Sequence, residues 1–272
     1  MIHSSYLQYG QSRVEYRQFG NGPELLIAFH GFSDKAALFD VLEPAFSKNY
    51  TFYAISLPYH GHTQWQPRLF TRNDISQIIS LIAEKEQKKR FSLMGYSMGG
   101  KIVLNMVPVF ASYLNKVYLL APDGIKTHRL YDIHAMPAIG LSLIKSLLKR
   151  PRWLFALAGL LYRQKILSKF LYDFTLNHFG TPAQRERFFN VSESIMQFAP
   201  SLPDVRQHLN QYRVPVEMYL GMRDEVIPPE AGMHFGKGLV LFDMHLLDKG
   251  HLLVDADLAR FISKKKQEAR HP

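Results

Sequence analysis

The chain has 272 residues, of which 47% are apolar and 21% charged, with no cysteine and a formal net charge of +10. A chain of this size and composition buries a large core without cross-links, and the lack of cysteine excludes disulfides, thiolate metal sites and a cysteine nucleophile. The N-terminal residues show no basic segment followed by an apolar run, and no apolar run approaches the roughly 20 residues that span a membrane, so we expect a soluble, cytoplasmic protein.

Short apolar runs closed by glycine or proline alternate with helical patterns along most of the chain. Apolar residues at helical spacing predict helices over Asn73–Lys89 and Ser97–Phe110. The runs suit strands buried on both faces of a parallel sheet, and their alternation with helices predicts an α/β fold with right-handed crossovers. The predicted strands are Arg13–Phe19, Leu25–Phe29, Phe52–Leu57, Phe91–Met94, Val117–Ala121, Val216–Leu220 and Leu239–Phe242.

The alternation stops between about Ile125 and Tyr212, where no strand pattern occurs. This stretch is rich in leucine, aromatic and basic residues and is punctuated by prolines. We therefore predict a helical insertion over residues 125–211, between two parts of an α/β core at 1–124 and 212–272.

The excess positive charge is concentrated in the insertion. Between Lys126 and Lys169 nine basic residues face one acid, Asp132. Such a patch could attract anionic lipid, an acidic substrate or nucleic acid, but a solvated helical face is the preferred interpretation. Because no nucleic-acid recognition motif accompanies it, we expect no nucleic-acid partner and leave peripheral contact with an anionic membrane surface open. The nine are Lys126, Arg129, Lys145, Lys149, Arg150, Arg152, Arg163, Lys165 and Lys169.

The motif with the clearest chemistry is Gly95-Tyr96-Ser97-Met98-Gly99. It matches G-x-S-x-G, with an apolar strand before it and a helical pattern after it, which is the context that a nucleophile elbow requires. The sharp turn presents the Ser97 hydroxyl above the sheet, and the glycines leave room for it. The following helix directs its positive N-terminal end toward developing negative charge.

A serine nucleophile needs a base and an acid that orients the base. His251, in a glycine-containing loop after the last predicted strand, is the candidate base. Asp224, just beyond the strand Val216–Leu220, fits the order serine, acid, histidine along the chain. Asp123 also follows a strand and competes for this role, and Glu225 and Asp248 are weaker rivals.

Acyl transfer also requires donors for the oxyanion. The backbone N–H of Met98, next to the nucleophile, is one candidate. The second is the backbone N–H of Phe32, in the loop after Leu25–Phe29. His30 is expected to shape this loop rather than to react.

Taken together, these segments resemble the α/β-hydrolase superfamily, in the branch with an H-G-x oxyanion loop and a helical cap. The matching pieces, in family order, are His30-Gly31-Phe32, Leu57-Pro58-Tyr59-His60-Gly61-His62-Thr63, Gly95-Tyr96-Ser97-Met98-Gly99-Gly100, Gly221-Met222-Arg223-Asp224 and Gly250-His251. The resemblance implies an eight-stranded, mostly parallel sheet, a Ser–Asp–His triad and a cap in the place of the insertion. One departure is Ser56-Leu57 before Pro58, where many members carry an aspartate.

No cofactor is predicted. His60 and His62 form an H-x-H pair, but catalytic zinc takes three protein ligands and no third ligand group accompanies them. No glycine-rich nucleotide-binding motif follows a predicted strand. We expect neither a metal nor a nucleotide in the site.

The predicted function is hydrolysis of a carboxylic ester of a small or lipid-like substrate, through an acyl-enzyme on Ser97. Phe32, Tyr96, Trp153 and Phe155 are the predicted substrate contacts, although the two residues of the insertion equally suit packing between helices. Two other reactions are alternatives on the same triad of Ser97, Asp224 and His251. One is hydrolysis of a carbon–carbon bond in a diketone-like substrate, and the other is acyl transfer to an alcohol or thiol. A catalytically silent binding scaffold is the alternative of another class. The oligomeric state is not predicted.

Overall fold

The structure is a computed structural model that describes residues 2, 4–66, 69–125, 151–167 and 169–268, without the side chains of Pro151 and Phe170. One eight-stranded sheet forms its centre. The strands are β1 Ser4–Tyr9, β2 Ser12–Phe19, β3 Glu24–Phe29, β4 Tyr50–Ile55, β5 Phe91–Tyr96, β6 Leu114–Leu120, β7 Val216–Gly221 and β8 Phe242–Leu247.

The strand order across the sheet is β1-β2-β4-β3-β5-β6-β7-β8. β1 and β2 pair antiparallel, β2 and β4 pair antiparallel, and every other neighbouring pair is parallel. The chain runs from β3 to one side and then returns past β3 to β5 on the other. In open α/β sheets such a change of direction marks the edge at which ligands bind, here beyond the carboxyl ends of β3 and β5.

The helices account for the other layers of the fold. The helix α2 begins with a capping box, in which the Thr71 hydroxyl accepts from Asp74 N–H and the Asp74 carboxylate accepts from Thr71 N–H. The helices are α1 Glu43–Phe46, α2 Arg72–Lys85, α3 Met98–Phe110, α4 Pro151–Arg163, α5 Lys169–Phe179, α6 Pro182–Ile195, α7 Leu202–Gln211, α8 Pro229–Gly236 and α9 Ala256–Glu268, with short 3₁₀ turns at Ala36–Leu42 and Ala111–Tyr113.

The predicted fold class is confirmed: the sheet is mostly parallel, with eight strands and helices between them. Strands β3 to β7 are almost wholly buried. This burial on both faces explains why their sequences are nearly continuous apolar runs. The helix predicted over Asn73–Lys89 ends at Lys85, because its charged last residues form a turn.

Two strands differ from the prediction. The strand predicted at Leu239–Phe242 is wrong, since β8 begins at Phe242 and pairs from there with Val216 of β7. β1 at the opposite edge was not predicted, because its residues alternate between exposed and half-buried and include few apolar side chains. Both are edge strands, whose sequences carry a weaker burial pattern than central ones.

The chain divides into two compact units, Met1–Lys126 with Ser194–Pro272, and Thr127–Glu193. The first contains the sheet, and the helix α7 also belongs to it and packs against α3. In the second, α4 and α5 pack through Tyr162 stacked on Tyr172, with ring centroids 4.6 Å apart. Phe179 and Phe188 join α5 to α6, also at 4.6 Å. Among the residues that the structure describes, no helix has the length and apolarity needed to cross a membrane.

Candidate active site

Ser97 lies at the turn between β5 and α3, at the carboxyl end of the sheet. Its backbone angles are φ 49° and ψ −116°, a conformation that residues with side chains rarely adopt. Glycine is required on both sides, because a Cβ on Gly95 would overlap the backbone of Gly99 and Gly100, and a Cβ on Gly99 would overlap that of Phe29. The local sequence therefore holds the Ser97 hydroxyl out of the sheet.

His251 provides a hydrogen-bond partner for this hydroxyl. Ser97 Oγ and His251 Nε2 are 2.9 Å apart, although 154 residues separate them in the chain. His251 comes from the loop between β8 and α9 and is buried. The distance is that of a base poised to accept the serine proton.

Asp224, after β7, orients the imidazole. Its Oδ2 accepts from His251 Nδ1 at 2.8 Å, and its Oδ1 accepts from the N–H groups of Val226 and Ile227 at 2.8 Å each. Asp224 is buried. Because the Nδ1–H group donates a hydrogen bond to the carboxylate, the neutral imidazole has no proton on Nε2 and presents a lone pair there to Ser97.

Of the three rival acids, two have other partners and the third is exposed. Asp123 Oδ1 accepts from Gly124 N–H at 2.7 Å, and its side chain is 44% exposed. Asp248 forms an exposed ion pair with Arg223 at 3.1 Å. Glu225 is exposed. Of the four carboxylates, the structure brings only Asp224 to His251.

The candidate oxyanion donors come from two adjacent strands. β3 and β5 pair directly, so the loop after β3 and the Ser97 turn meet at one edge of the sheet. Met98 is the first residue of α3, a position whose N–H has no partner within a helix. Phe32 is half-buried in the loop after β3, with its ring edge-on to His60. Their role as donors stays a prediction.

Two histidines fix the loop that contains Phe32. His30 Nδ1 donates to Gly31 O at 2.7 Å and its Nε2 accepts from Leu57 N–H at 3.0 Å. His60 Nδ1 donates to Pro58 O at 2.9 Å and its Nε2 accepts from Ser33 N–H at 3.2 Å. Burial, together with the neighbouring His60, holds the pKa of His30 well below its ordinary value. A neutral His30 can therefore donate one hydrogen bond and accept another, which connects the loop after β3 to the loop after β4.

The H-x-H pair does not form part of a metal-ligand cluster within the described ranges. No group of three or more histidine, aspartate, glutamate or cysteine side chains lies close enough there to hold a metal ion. The two ring nitrogens of His60 are hydrogen-bonded to Pro58 O and Ser33 N–H. The backbone N–H of His62 donates to the Glu15 carboxylate at 2.8 Å.

Glu15, on β2, supplies a carboxylate beside Ser56. It accepts from Ser56 Oγ, Ser4 Oγ and His62 N–H, each at 2.8 Å. Burial acts to raise the pKa of Glu15, but these hydrogen bonds outweigh it and lower the pKa. Ser56 Oγ also accepts from Ala36 N–H at 3.0 Å. Ser56, just before Leu57-Pro58, is thus hydrogen-bonded to a carboxylate from the neighbouring strand.

Tyr96 has a positioning contact that the sequence did not reveal. It is buried, its hydroxyl donates to the carbonyl oxygen of His251 at 3.1 Å, and its ring stacks on the imidazole at 5.8 Å. The contact orients the base. Substrate contact by Tyr96 remains a prediction.

The other predicted substrate contacts lie in the second unit. Trp153 is 67% exposed on α4, and Phe155 is half-buried on the same helix. Their contact with substrate also remains a prediction. Five of the nine basic residues of the insertion lie outside the described residues: Lys126, Arg129, Lys145, Lys149 and Arg150.

Asp34 is a site residue that sequence reasoning missed. Its half-buried carboxylate lies close enough to His251 for the imidazole to influence its pKa. In the sequence it reads as an ordinary loop aspartate before Lys35, and no local pattern distinguishes it. Its proximity to His251 appears only in the fold.

Comparisons with known proteins identify the family of this chain. The model of the alpha/beta hydrolase family matches residues 25–263. The chain is similar to the "Uncharacterized hydrolase YugF" of Bacillus subtilis, with 25% identity over 247 residues that cover 88% of each chain. It is also similar to the pimeloyl-(acyl-carrier protein) methyl ester esterase of Nitrosomonas europaea, with 24% identity over 78% of this chain and 81% of that protein.

A third relative carries the name of a different hydrolase. The 2-hydroxy-6-oxononadienedioate/2-hydroxy-6-oxononatrienedioate hydrolase of Paraburkholderia phymatum is 24% identical over 88% of this chain and 84% of that protein. Among solved structures, MGS-M2, an alpha/beta hydrolase from a Medee basin deep-sea metagenome library, superposes with a TM-score of 0.71. It is 13% identical and covers 98% of both chains, a likeness that concerns the fold alone.

Proposed function

Because this chain belongs to the alpha/beta hydrolase family, we propose that it hydrolyses carboxylic esters through an acyl-enzyme on Ser97. The observation that carries the proposal is the continuous chain of hydrogen bonds from Ser97 through His251 to Asp224, with distances of 2.9 Å and 2.8 Å. The relative named as a methyl ester esterase supports an ester as the bond cleaved.

The first half of the proposed cycle forms the acyl-enzyme. Ser97 Oγ attacks the ester carbonyl carbon while its proton passes to His251 Nε2. Asp224 stabilises the imidazolium that results. The backbone N–H groups of Met98 and Phe32 hold the oxyanion, aided by the N-terminal end of α3. The intermediate then collapses, and the alcohol leaves with the proton from His251.

The second half regenerates the enzyme. A water molecule gives a proton to His251 Nε2 and attacks the acyl carbon. The new tetrahedral intermediate uses the same oxyanion donors. It expels Ser97 Oγ, which regains the proton from His251, and the carboxylic acid departs. No group beyond the three side chains and the two amides is needed.

The test compares wild type with Ser97→Ala on p-nitrophenyl esters of increasing acyl length. We expect the variant to lose about 10⁴-fold or more in kcat, as removal of a triad serine does elsewhere. Ser112→Ala, which alters an exposed serine on the 3₁₀ turn after α3, is the matched control and should retain full activity. Equal rates in wild type and Ser97→Ala would refute the proposal.

Hydrolysis of a carbon–carbon bond in a diketone-like substrate is the second candidate. The relative named as a 2-hydroxy-6-oxononadienedioate hydrolase is the observation that favours it. The same serine, histidine and acid would act on a ketone carbonyl. Turnover of a vinylogous diketone but of no p-nitrophenyl ester, again lost in Ser97→Ala, would select this candidate over the first.

The helical insertion over residues 125–211 is proposed to act as a cap for the acyl group. Its described helices carry many apolar and aromatic side chains, among them Trp153 and Phe155. A preference for one acyl length in the ester series would support this role.

We also propose that the insertion contacts an anionic membrane surface. On α4, Trp153, Leu157 and Leu160 are exposed at the spacing of one helical face. The exposed Arg152 and Arg163 lie at the two ends of that helix. Exposed apolar side chains flanked by arginines are typical of helices that lie in a membrane interface.

A further inference from the structure

The carboxylate of Asp34 lies beside the candidate catalytic groups. A Cβ placed on Gly31 would be 2.9 Å from Asp34 Oδ2 and 3.0 Å from Cε1 of Tyr96, so the carboxylate and the ring flank the same glycine. Gly31 directly precedes Phe32, the candidate oxyanion donor. The ring of Tyr96 in turn stacks on His251. Asp34 is therefore next to both the oxyanion loop and the base.

No hydrogen bond or ion pair holds this carboxylate within the described part of the chain. The backbone N–H of Asp34 donates to Gly31 O at 3.3 Å, but neither a hydrogen bond nor an ion pair reaches its side-chain oxygens. Other buried or half-buried carboxylates near the site are satisfied, as Glu15 and Asp224 illustrate. A partly desolvated carboxylate without a donor or a counter-charge is costly, and a ligand that brings a donor or a positive charge would reduce the cost.

The ionisation of Asp34 reflects these surroundings. Burial raises the pKa of Asp34 to about 6, and the nearby His251 lowers it in part. Near neutral pH the carboxylate is therefore mostly ionised, and it can only accept hydrogen bonds.

We propose that the carboxylate of Asp34, next to Gly31 and Tyr96, forms an anionic subsite that binds a positively charged group of the substrate, such as an alkylammonium. The inference rests on the proposed esterase function and narrows its substrate class. It places the charge close to the scissile ester, because Asp34 adjoins the oxyanion loop. It also disfavours substrates with a carboxylate at that position, by repulsion between like charges.

The experiment uses esters of equal size that carry a trimethylammonium group, a tert-butyl group or a carboxylate at the same position. One set has this group on the acyl chain and a second has it on the alcohol. The kcat/KM of each ester is measured for wild type, Asp34→Asn and Glu230→Gln. Glu230, exposed in the first turn of α8, is the matched control that removes one negative charge elsewhere.

We expect wild type to prefer the trimethylammonium ester over its tert-butyl isostere by about tenfold or more in one of the sets, because only the trimethylammonium ester brings a positive charge to the carboxylate. Asp34→Asn should lose the preference, and Glu230→Gln should keep it. Each preference is a ratio within one variant, so a change in overall activity cancels. An unchanged ratio in Asp34→Asn for both sets would overturn the proposal.

Binding separates this inference from the proposed function. Calorimetry with Ser97→Ala and with the Ser97→Ala, Asp34→Asn double variant measures affinity for the same esters without turnover. Tighter binding of the trimethylammonium ester that requires Asp34 supports the subsite even if wild type hydrolyses none of them. Hydrolysis of the tert-butyl ester with no effect of Asp34 on binding or turnover would retain the esterase and exclude the subsite.

Discussion

Ser97 is the residue whose backbone the fold constrains most visibly. Its N–H donates to Leu120 O at 3.0 Å, and its carbonyl accepts from Gly100 N–H and Asp123 N–H at 2.8 Å each. These bonds fix a positive φ that would otherwise be strained for a residue with a side chain. They involve only backbone atoms. Ser97→Ala is therefore expected to keep the turn, and loss of activity in that variant reports on the hydroxyl.

Asp224→Asn should disable His251 without removing it. The N–H groups of Val226 and Ile227 keep an oxygen at the Oδ1 position, so the new amide NH₂ would face Nδ1. The imidazole would then carry its proton on Nε2 and could not accept from Ser97. We expect kcat for a p-nitrophenyl ester to fall about 10³- to 10⁴-fold, the size of this effect in other triads.

Asp123→Asn is the matched control for that prediction. The Asp123 side chain contacts Gly124 and Lys101, and its contact with Ser97 uses only the backbone N–H. Its kcat should change by no more than about twofold, as is usual for a partly exposed substitution. A larger loss in Asp123→Asn than in Asp224→Asn would reverse the assignment of the acid.

At the scale of elements, α4 has a composition unusual for an exposed helix. Its apolar face is exposed at Trp153 and Leu160, by 67% and 52%. The chain contains two tryptophans, and the other, Trp65, is buried. Tryptophan fluorescence therefore reports on the environment of α4 with a constant background from Trp65.

If α4 enters a membrane interface, tryptophan emission should shift to the blue when vesicles containing anionic phospholipid are added. Pure phosphatidylcholine vesicles should have little effect, and about 0.5 M salt should weaken the shift by screening the arginines. Trp153→Phe should remove the signal, while Arg152→Gln with Arg163→Gln should weaken binding in co-sedimentation. Identical spectra with and without anionic vesicles would refute contact through this helix.

At the scale of the whole molecule, one buried carboxylate joins the sheet to the C-terminal helix. Glu217 on β7 pairs with Lys116 of β6 and with Lys265 of α9, the latter at 2.9 Å. Tyr219 donates its hydroxyl to the same carboxylate. Burial acts to raise the pKa of Glu217, but the hydrogen bonds and lysine charges outweigh it and lower the pKa to about 2.

A carboxylate with a lowered pKa stabilises the fold above its unfolded pKa and loses that contribution as the pH falls through its folded value. For Glu217 the contribution is about 3 kcal/mol at neutral pH, and it should disappear between about pH 4.5 and pH 2. Glu217→Gln should therefore lower the free energy of unfolding at pH 7 and differ little from wild type near pH 2. Denaturant unfolding at both pH values measures this.

Glu230→Gln, which changes an exposed glutamate, should leave the free energy of unfolding nearly unchanged at either pH. A destabilisation by Glu217→Gln that is equal at pH 7 and pH 2 would indicate lost packing instead of lost ion pairs.

The sequence by itself determined the fold class, the central strands and the position of the Ser97 turn. Central strands are buried on both faces, so their apolar runs are local signals that survive without tertiary context. The G-x-S-x-G spacing is also a local signal in the sequence. Its first glycine avoids a clash with Gly99 and Gly100 within the same turn, whereas Gly99 avoids one with Phe29 of the adjacent strand. The order of Ser97, Asp224 and His251 along the chain likewise needed no coordinates.

Only the tertiary structure decided among residues that look alike in sequence. Asp123 and Asp224 both follow strands, and their difference is whether the side chain reaches His251, which depends on the order of the strands in the sheet. The edge strand β1 and the start of β8 depend on pairing more than on burial. Asp34 has no sequence signature, because its environment comes from Tyr96 and His251, which are remote in the chain and adjacent only when the sheet has formed.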